Sequence, residues 1–222
     1  MPSRMNLSGE ILTLPQQREQ GYTIMKRITD LIVLAAMAAG MAACGKTTNT
    51  DMEKKTNPTL ETIALRRSVR HYTERAVPQD TVELLLRAAM AAPSSKDRRP
   101  WHFIVVNDRS TLDTLSAKLP FASMLARVPQ ALVVCGDSGL SESWYLDCSA
   151  ATQNFLLAAQ ATGLAAVWTG VYPNADRIVT VQEELALPPT IMPLAVVPFG
   201  YADGTEQPKD KFDALRIHHN KW

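Results

Sequence analysis

From residue 58 onward, stretches whose apolar residues recur at helical spacing alternate with short runs that are apolar at nearly every position. Pro58 to Arg67 opens with proline and carries Leu60, Ile63 and Leu65 toward one side, which predicts a first helix. A second spans Pro78 to Ala92, with Val82, Leu85, Leu86 and Ala89 as its stripe, Asp80 in its first turn and Pro93 as its stop. A long helix is expected over Ser143 to Gly163, where Trp144, Cys148, Ala151, Phe155 and Ala158 or Ala159 repeat at the same interval between a Ser cap and a Gly stop. Its Ala and Leu content suits burial on more than one side. A further helix runs from about Asn174 to Leu185. Phe103 to Val106, Ala131 to Cys135, Leu164 to Trp168 and Pro193 to Phe199 read as short buried strands. Helices separating such strands predict a mixed α/β domain, whose strand pairing does not follow from pattern.

Upstream, the pattern differs. Met1 to Ile24 is polar and unpatterned, and residues 1–24 read as a non-functional extension ahead of a true start at Met25. Lys26 and Arg27 then form a positive head, Leu31 to Ala39 an apolar run, and Met41-Ala42-Ala43-Cys44 a small-residue cleavage site. The run is too short to span a bilayer, so residues 25–43 are expected to be a cleaved signal segment. A cysteine directly after small residues resembles the lipobox of a bacterial lipoprotein, with Met41 where Leu is usual. The resemblance implies that Cys44 becomes a lipidated first residue, anchoring the protein in the cell envelope on the periplasmic side; an unprocessed leader would leave it cytoplasmic. Residues 44–57, rich in Thr, Asn, Lys and Glu, have the composition of a tether, and the folded domain is expected over 58–222.

Composition narrows the function classes. The chain has 222 residues, 46% hydrophobic and 20% charged, enough to bury a core. Removing residues 1–43 takes away Arg4, Arg18, Lys26 and Arg27 against Glu10, Glu19 and Asp30, so a net charge of +1 becomes neutral. With no long Lys/Arg run, nothing argues for a nucleic-acid partner. Cys44, Cys135 and Cys148 are too few and too dispersed for a disulfide framework or a zinc site, and the last two read as core residues.

The candidate chemistry lies in four segments. Arg66-Arg67-Ser68-Val69-Arg70 packs three guanidinium groups and a hydroxyl into five residues, which suits either a phosphate ligand or a solvated basic helix end. Pro93-Ser94-Ser95-Lys96-Asp97-Arg98-Arg99-Pro100-Trp101 is a loop stiffened by proline near both ends, whose donors can be held ready without ligand. Gly170, in Trp168-Thr169-Gly170, permits the close backbone approach a flat ligand needs. Lys209 and Lys211 alternate in an extended segment and so point the same way. There is no glycine-rich dinucleotide fingerprint, metal-ligand cluster or Ser/His/Asp arrangement, so no side chain is assigned a catalytic role and a cofactor is expected to carry the hard step.

Taken in order, these four segments, with Trp101-His102-Phe103 after the loop, resemble the nitroreductase family of flavin enzymes over roughly Pro58 to Trp222. Asp147 to Asn154 and the closing His218 to Trp222 look like a compact branch of it. The resemblance implies an α+β, nitroreductase-like fold with a central, mainly antiparallel sheet flanked by helices. It implies a homodimer with FMN at the subunit interface, passing electrons from an NAD(P)H-type donor to a nitroaromatic or quinone-like acceptor in a ping-pong cycle. Arg66, Lys209 and Lys211 would hold the FMN phosphate, with Arg67 and Ser68 nearby, and Arg70 would face the pyrimidine edge. Trp168, Thr169 and Gly170 would line the ring, while Pro93, Ser94 and Ser95, with Asp97 beyond them, would arrive from the partner subunit. Asp97 stands where Asn is usual and Arg99 where Gln is usual, and a carboxylate there opposes the ligand's charge unless Arg98 or Arg99 pairs with it. Other flavin reactions on the same fold, reductive dehalogenation or dehydrogenation, and a non-catalytic lipid-anchored flavin binder are the competing readings. A lipid-anchored domain would also sit where NAD(P)H is not expected, leaving another carrier as its donor.

Overall fold

The computed structural model describes residues 57–222. The upstream extension, the signal segment, Cys44 and the tether up to residue 56 lie outside the described residues.

Local chemistry sets the helix starts. Helix α1 (Pro58–Leu65) has proline in its first turn, and the Asn57 side chain accepts from the Thr59 and Leu60 N–H groups. Helix α2 (Gln79–Met90) buries Val82, Leu85 and Ala89. After strand β1 (Trp101–Val106) comes α3 (Arg109–Lys118), a helix not expected from the pattern; Asp108 caps it by accepting from the Thr111 N–H, and Leu112 and Leu115 fix it to the core. Strand β2 (Gln130–Asp137) precedes the long helix α4 (Trp144–Ala161). Ser143 does not cap α4 through its side chain, contrary to expectation; the Ser143 N–H instead donates to the Ser141 hydroxyl. Gly163 follows α4 with a φ of +75°, the left-handed geometry that ends helices at little cost to glycine.

Of the expected strand over Leu164 to Trp168 only β3 (Ala165–Ala166) forms, and a second short piece, β4 (Thr169–Gly170), follows the run; both pair with β5 (Ile191–Gly200). Helix α5 (Ala175–Glu184) lies between β4 and β5. The sheet runs β1-β2-β5-β3, with β4 also on β5, and every ladder is antiparallel. This is the α+β architecture expected from the family resemblance.

The central strands are apolar at consecutive positions because both faces of the sheet are covered. Val133, Cys135 and Val196 pack with Leu112 and Leu115 of α3 and Ile178 and Val181 of α5. Leu132, Val134, Ala195 and Val197 pack with α2 and with Trp144, Cys148, Ala151, Phe155 and Ala159 of α4. Gly136 makes that second contact possible, since a Cβ there would fall 2.6 Å from Trp144 and 2.9 Å from the Cys148 sulfur. Along α1, by contrast, Leu60 and Ile63 are exposed, as are Phe212, Leu215 and Trp222 in the tail that follows β5.

Candidate functional site

The basic segment after α1 is stitched to the sheet at two points. Ser68 bridges Ala166 of β3, with the Val69 N–H donating to the Ala166 carbonyl, and Tyr72 bridges Ala202 beyond β5. Val69 and Tyr72 are buried, and the Tyr72 hydroxyl donates to the carbonyls of Val69 (2.6 Å) and Pro198 (3.1 Å). Burial pushes that phenol above its ordinary pKa, so it stays a donor. With Val69 turned inward, Ser68 and Arg70 on either side face outward.

They face a cavity of about 440 Å³ lined by Arg66, Arg67, Ser68, Arg70, Glu206, Gln207, Lys209 and Lys211. Segments far apart in sequence thus bring five cations to one concavity. Arg67 is the structural member: its Nε donates to the Glu206 carbonyl at 2.6 Å and one Nη to Gln160 near the end of α4 at 3.3 Å. Among the described residues, Arg66, Arg70, Lys209 and Lys211 form no ion pair. The one carboxylate on the wall, Glu206, accepts from the Arg70 N–H (3.2 Å) and His71 Nδ1 (3.0 Å). Backbone N–H donation, then His71, holds its carboxyl below the usual range. A net excess of cations, a hydroxyl and enough volume for a phosphate-bearing ligand fits FMN.

The second expected element is the Pro93 to Arg99 loop. Ser95 donates its N–H to Asp147 on α4 at 2.9 Å, and the Ser94 hydroxyl accepts from the Arg99 N–H at 3.0 Å. Lys96, Asp97 and Arg99 all have positive φ, from 49° to 54°, unusual for residues with side chains. Arg99 pairs with Asp97 through two bonds of 2.7 and 2.5 Å, and this holds the Asp97 carboxyl below its ordinary range. The charge of the unusual Asp97 is therefore met by the unusual Arg99. Arg98 turns elsewhere, donating to the Leu140 carbonyl.

In the third element Trp168 is half-buried, the Thr169 hydroxyl is taken by the Val196 carbonyl, and Gly170 is exposed with open space where a side chain would project.

These elements do not all meet within one chain. Gln160, which Arg67 holds, and Asp147, which holds the Ser95 loop, are thirteen residues apart on α4. At helical rise that is about 20 Å, so the cation cavity and the loop lie at opposite ends of the helix. Sequence reasoning missed Glu206, Gln207 and Gln160 beside the cations, and the role of Asp147; an acid within the apolar repeat of α4 was the only signal.

Cys135 and Cys148 are buried core residues, the Cys148 thiol donating to the Cys135 carbonyl at 3.3 Å. Burial pushes each thiol up to about 12. A thiol held protonated in the folded state but free to ionise when unfolded stabilises the fold below its unfolded pKa near 9, and this contribution is lost as pH rises from there toward about 12. Stability should therefore fall from about pH 9 upward, by roughly 1.4 kcal/mol per pH unit for each thiol. Urea midpoints of the wild type and a Cys135→Ala/Cys148→Ala variant between about pH 8 and pH 10.5 check this, with the variant showing the shallower decline.

The class this fold and site define also emerges from comparison with known proteins. The sequence profile of the Nitroreductase family matches residues 63–137 and 116–201. A provisionally named NADH dehydrogenase/NAD(P)H nitroreductase of Methanothermobacter thermautotrophicus is 45% identical over 166 residues, covering 73% of this chain and 87% of that protein. A crystal structure with the same provisional name, from Parabacteroides distasonis, superposes with a TM-score of 0.74 at 57% identity, covering 75% of this chain and 99% of that one. An FMN-dependent nitroreductase of Clostridium difficile superposes at 0.71 and 28% identity, covering 73% and 99%. The chain belongs to the nitroreductase family.

Proposed function

We propose that this protein is a homodimeric flavoenzyme whose two FMN sites are each completed by both copies of the chain. It is an FMN-dependent oxidoreductase. The observation that carries this reading is the convergence of Arg66, Arg70, Lys209 and Lys211 with Ser68 on one cavity. When bound, FMN would supply the two-electron chemistry, taking electrons from an NAD(P)H-type donor, or from another reduced carrier where the anchored domain lies outside the cytoplasm, and passing them to a nitroaromatic or quinone-like acceptor in a ping-pong cycle. Arg66, Lys209 and Lys211 would hold the phosphate, with Ser68 beside them and Arg67 fixing the tail that carries the lysines through its bond to the Glu206 carbonyl. Arg70 would set a fixed positive charge at the pyrimidine edge of bound FMN, favouring the electron-rich form of the ring. The open face of Gly170, next to Trp168 and Thr169, admits a flat ring against the backbone.

The Pro93, Ser94 and Ser95 clamp, with Asp97 neutralised by Arg99, comes from the second copy: its anchor Asp147 lies about 20 Å along α4 from Gln160, the partner of Arg67 at the cavity. Exposed Leu60 and Ile63 of α1, and Phe212, Leu215 and Trp222 of the tail, give that second copy apolar surface to cover. Purified protein should be yellow, bleach with NADH or NADPH in the absence of oxygen, and regain its colour with a nitroaromatic compound. A colourless protein that FMN does not reconstitute would refute the reading. Residues 25–43 and Cys44 are proposed as signal and lipid anchor, with residues 1–24 ahead of the true start. Mass spectrometry of the mature N-terminus should find a diacylglyceryl group on Cys44, and an intact leader would refute the anchor.

A further inference from the structure

Asp147 is a buried carboxylate that the family reading leaves without a task. It is only 6% exposed, in the first turn of α4, and among the described residues no cation pairs with it. Burying an ionisable group this way is unfavourable unless its oxygens are bonded. Both are: Oδ1 accepts from the Ser95 N–H at 2.9 Å and Oδ2 from the Ser141 hydroxyl at 3.4 Å. The nearby N-terminus of α4 favours negative charge there. Asp147 is not the capping residue of its own helix; its shorter bond reaches a loop 52 residues away in sequence.

That loop needs an external hold. Three of its residues with side chains have left-handed φ, a conformation that persists only where surroundings over-determine it. Its ties beyond the loop are Ser95 to Asp147 and Arg98 to the Leu140 carbonyl on the connection leading into α4. Within it, the Arg99 N–H donates to the Ser94 hydroxyl oxygen, leaving that O–H free to donate outward. The Ser95 N–H, engaged by Asp147, is not available to a ligand.

We infer that Asp147 is a positioning residue for the cofactor: by fixing the Ser95 amide from inside α4 it aims the Ser94 and Ser95 hydroxyls at the flavin held in the cradle of the other copy. The inference rests on the FMN reading above. It also follows that the clamp acts through hydroxyl groups and not through the Ser95 amide.

The test compares full-length wild type with Asp147→Asn, Asp147→Val and, as a gentler truncation should valine not fold, Asp147→Ser. Asparagine keeps an acceptor for the Ser95 N–H and a donor for Ser141, so FMN release and the visible flavin spectrum should stay within about threefold and unshifted. Valine and serine cannot reach Ser95; FMN should leave about tenfold faster or more, the flavin bands should shift, and amide exchange at Ser95 should accelerate by a similar factor. A valine or serine variant that melts earlier yet keeps wild-type FMN release, spectrum and Ser95 exchange would reduce Asp147 to a structural residue and overturn the inference. Failure of the FMN reading is separable, because it appears as wild type that binds no FMN.

Discussion

Arg66→Ala should weaken FMN binding by about 2 kcal/mol, roughly thirtyfold in dissociation constant, the order expected for losing a charge-assisted bond to phosphate. Arg66 is the cradle residue best suited to this test, because it lines the cavity and its side chain makes no hydrogen bond or ion pair among the described residues, its backbone N–H alone donating to the Thr62 carbonyl. Arg67→Ala would confound the result by releasing the Glu206 carbonyl and with it the tail bearing Lys209 and Lys211. The measurement is quenching of FMN fluorescence as apoprotein is titrated, at fixed ionic strength. Affinity unchanged within threefold would remove Arg66 from the phosphate site.

Phe155→Ala is expected to have the largest effect on stability. The ring is fully buried midway along α4 and meets Phe199 of β5 edge-on, with ring centres 5.1 Å apart. Truncating it leaves a cavity where helix and sheet should touch, at a cost of about 3–5 kcal/mol. Domains of this kind are stable by about 5–15 kcal/mol in total, so much of the margin would go. Phe155→Leu should recover a large part of it. The substitution should also loosen FMN, since α4 carries the clamp anchor at one end and the partner of Arg67 near the other. Urea unfolding midpoints measure the first effect, and a midpoint unchanged from wild type would contradict the packing described.

How much was legible in the sequence depended on how locally each feature is determined. The grouping of cations that line one cavity was readable because the arginines are consecutive or nearly so and the lysines alternate. Helices α2 and α4 announced themselves through wide apolar stripes. Helix α3 did not, since Arg109 to Lys118 is mostly polar and buries only Leu112 and Leu115. The Leu164 to Trp168 run is apolar because it is buried, but only Ala165 and Ala166 within it are paired as strand. Nothing local could reveal Glu206 against Arg70, 136 residues apart, or Asp147 against Ser95. The length of α4, readable in advance, is what separates cradle from clamp.

The central claim is that one FMN is gripped by two chains. Mixed dimers assembled from an Arg66→Ala/Lys211→Ala chain and a Ser94→Ala/Ser95→Ala chain test it directly, at an FMN concentration where neither parent homodimer is loaded. If cradle and clamp come from different copies, each mixed dimer has one site with both defects and one with none, and should bind one FMN. If both belong to the same copy, every site in the mixed dimer is damaged, and flavin content no higher than that of the parents would contradict the account.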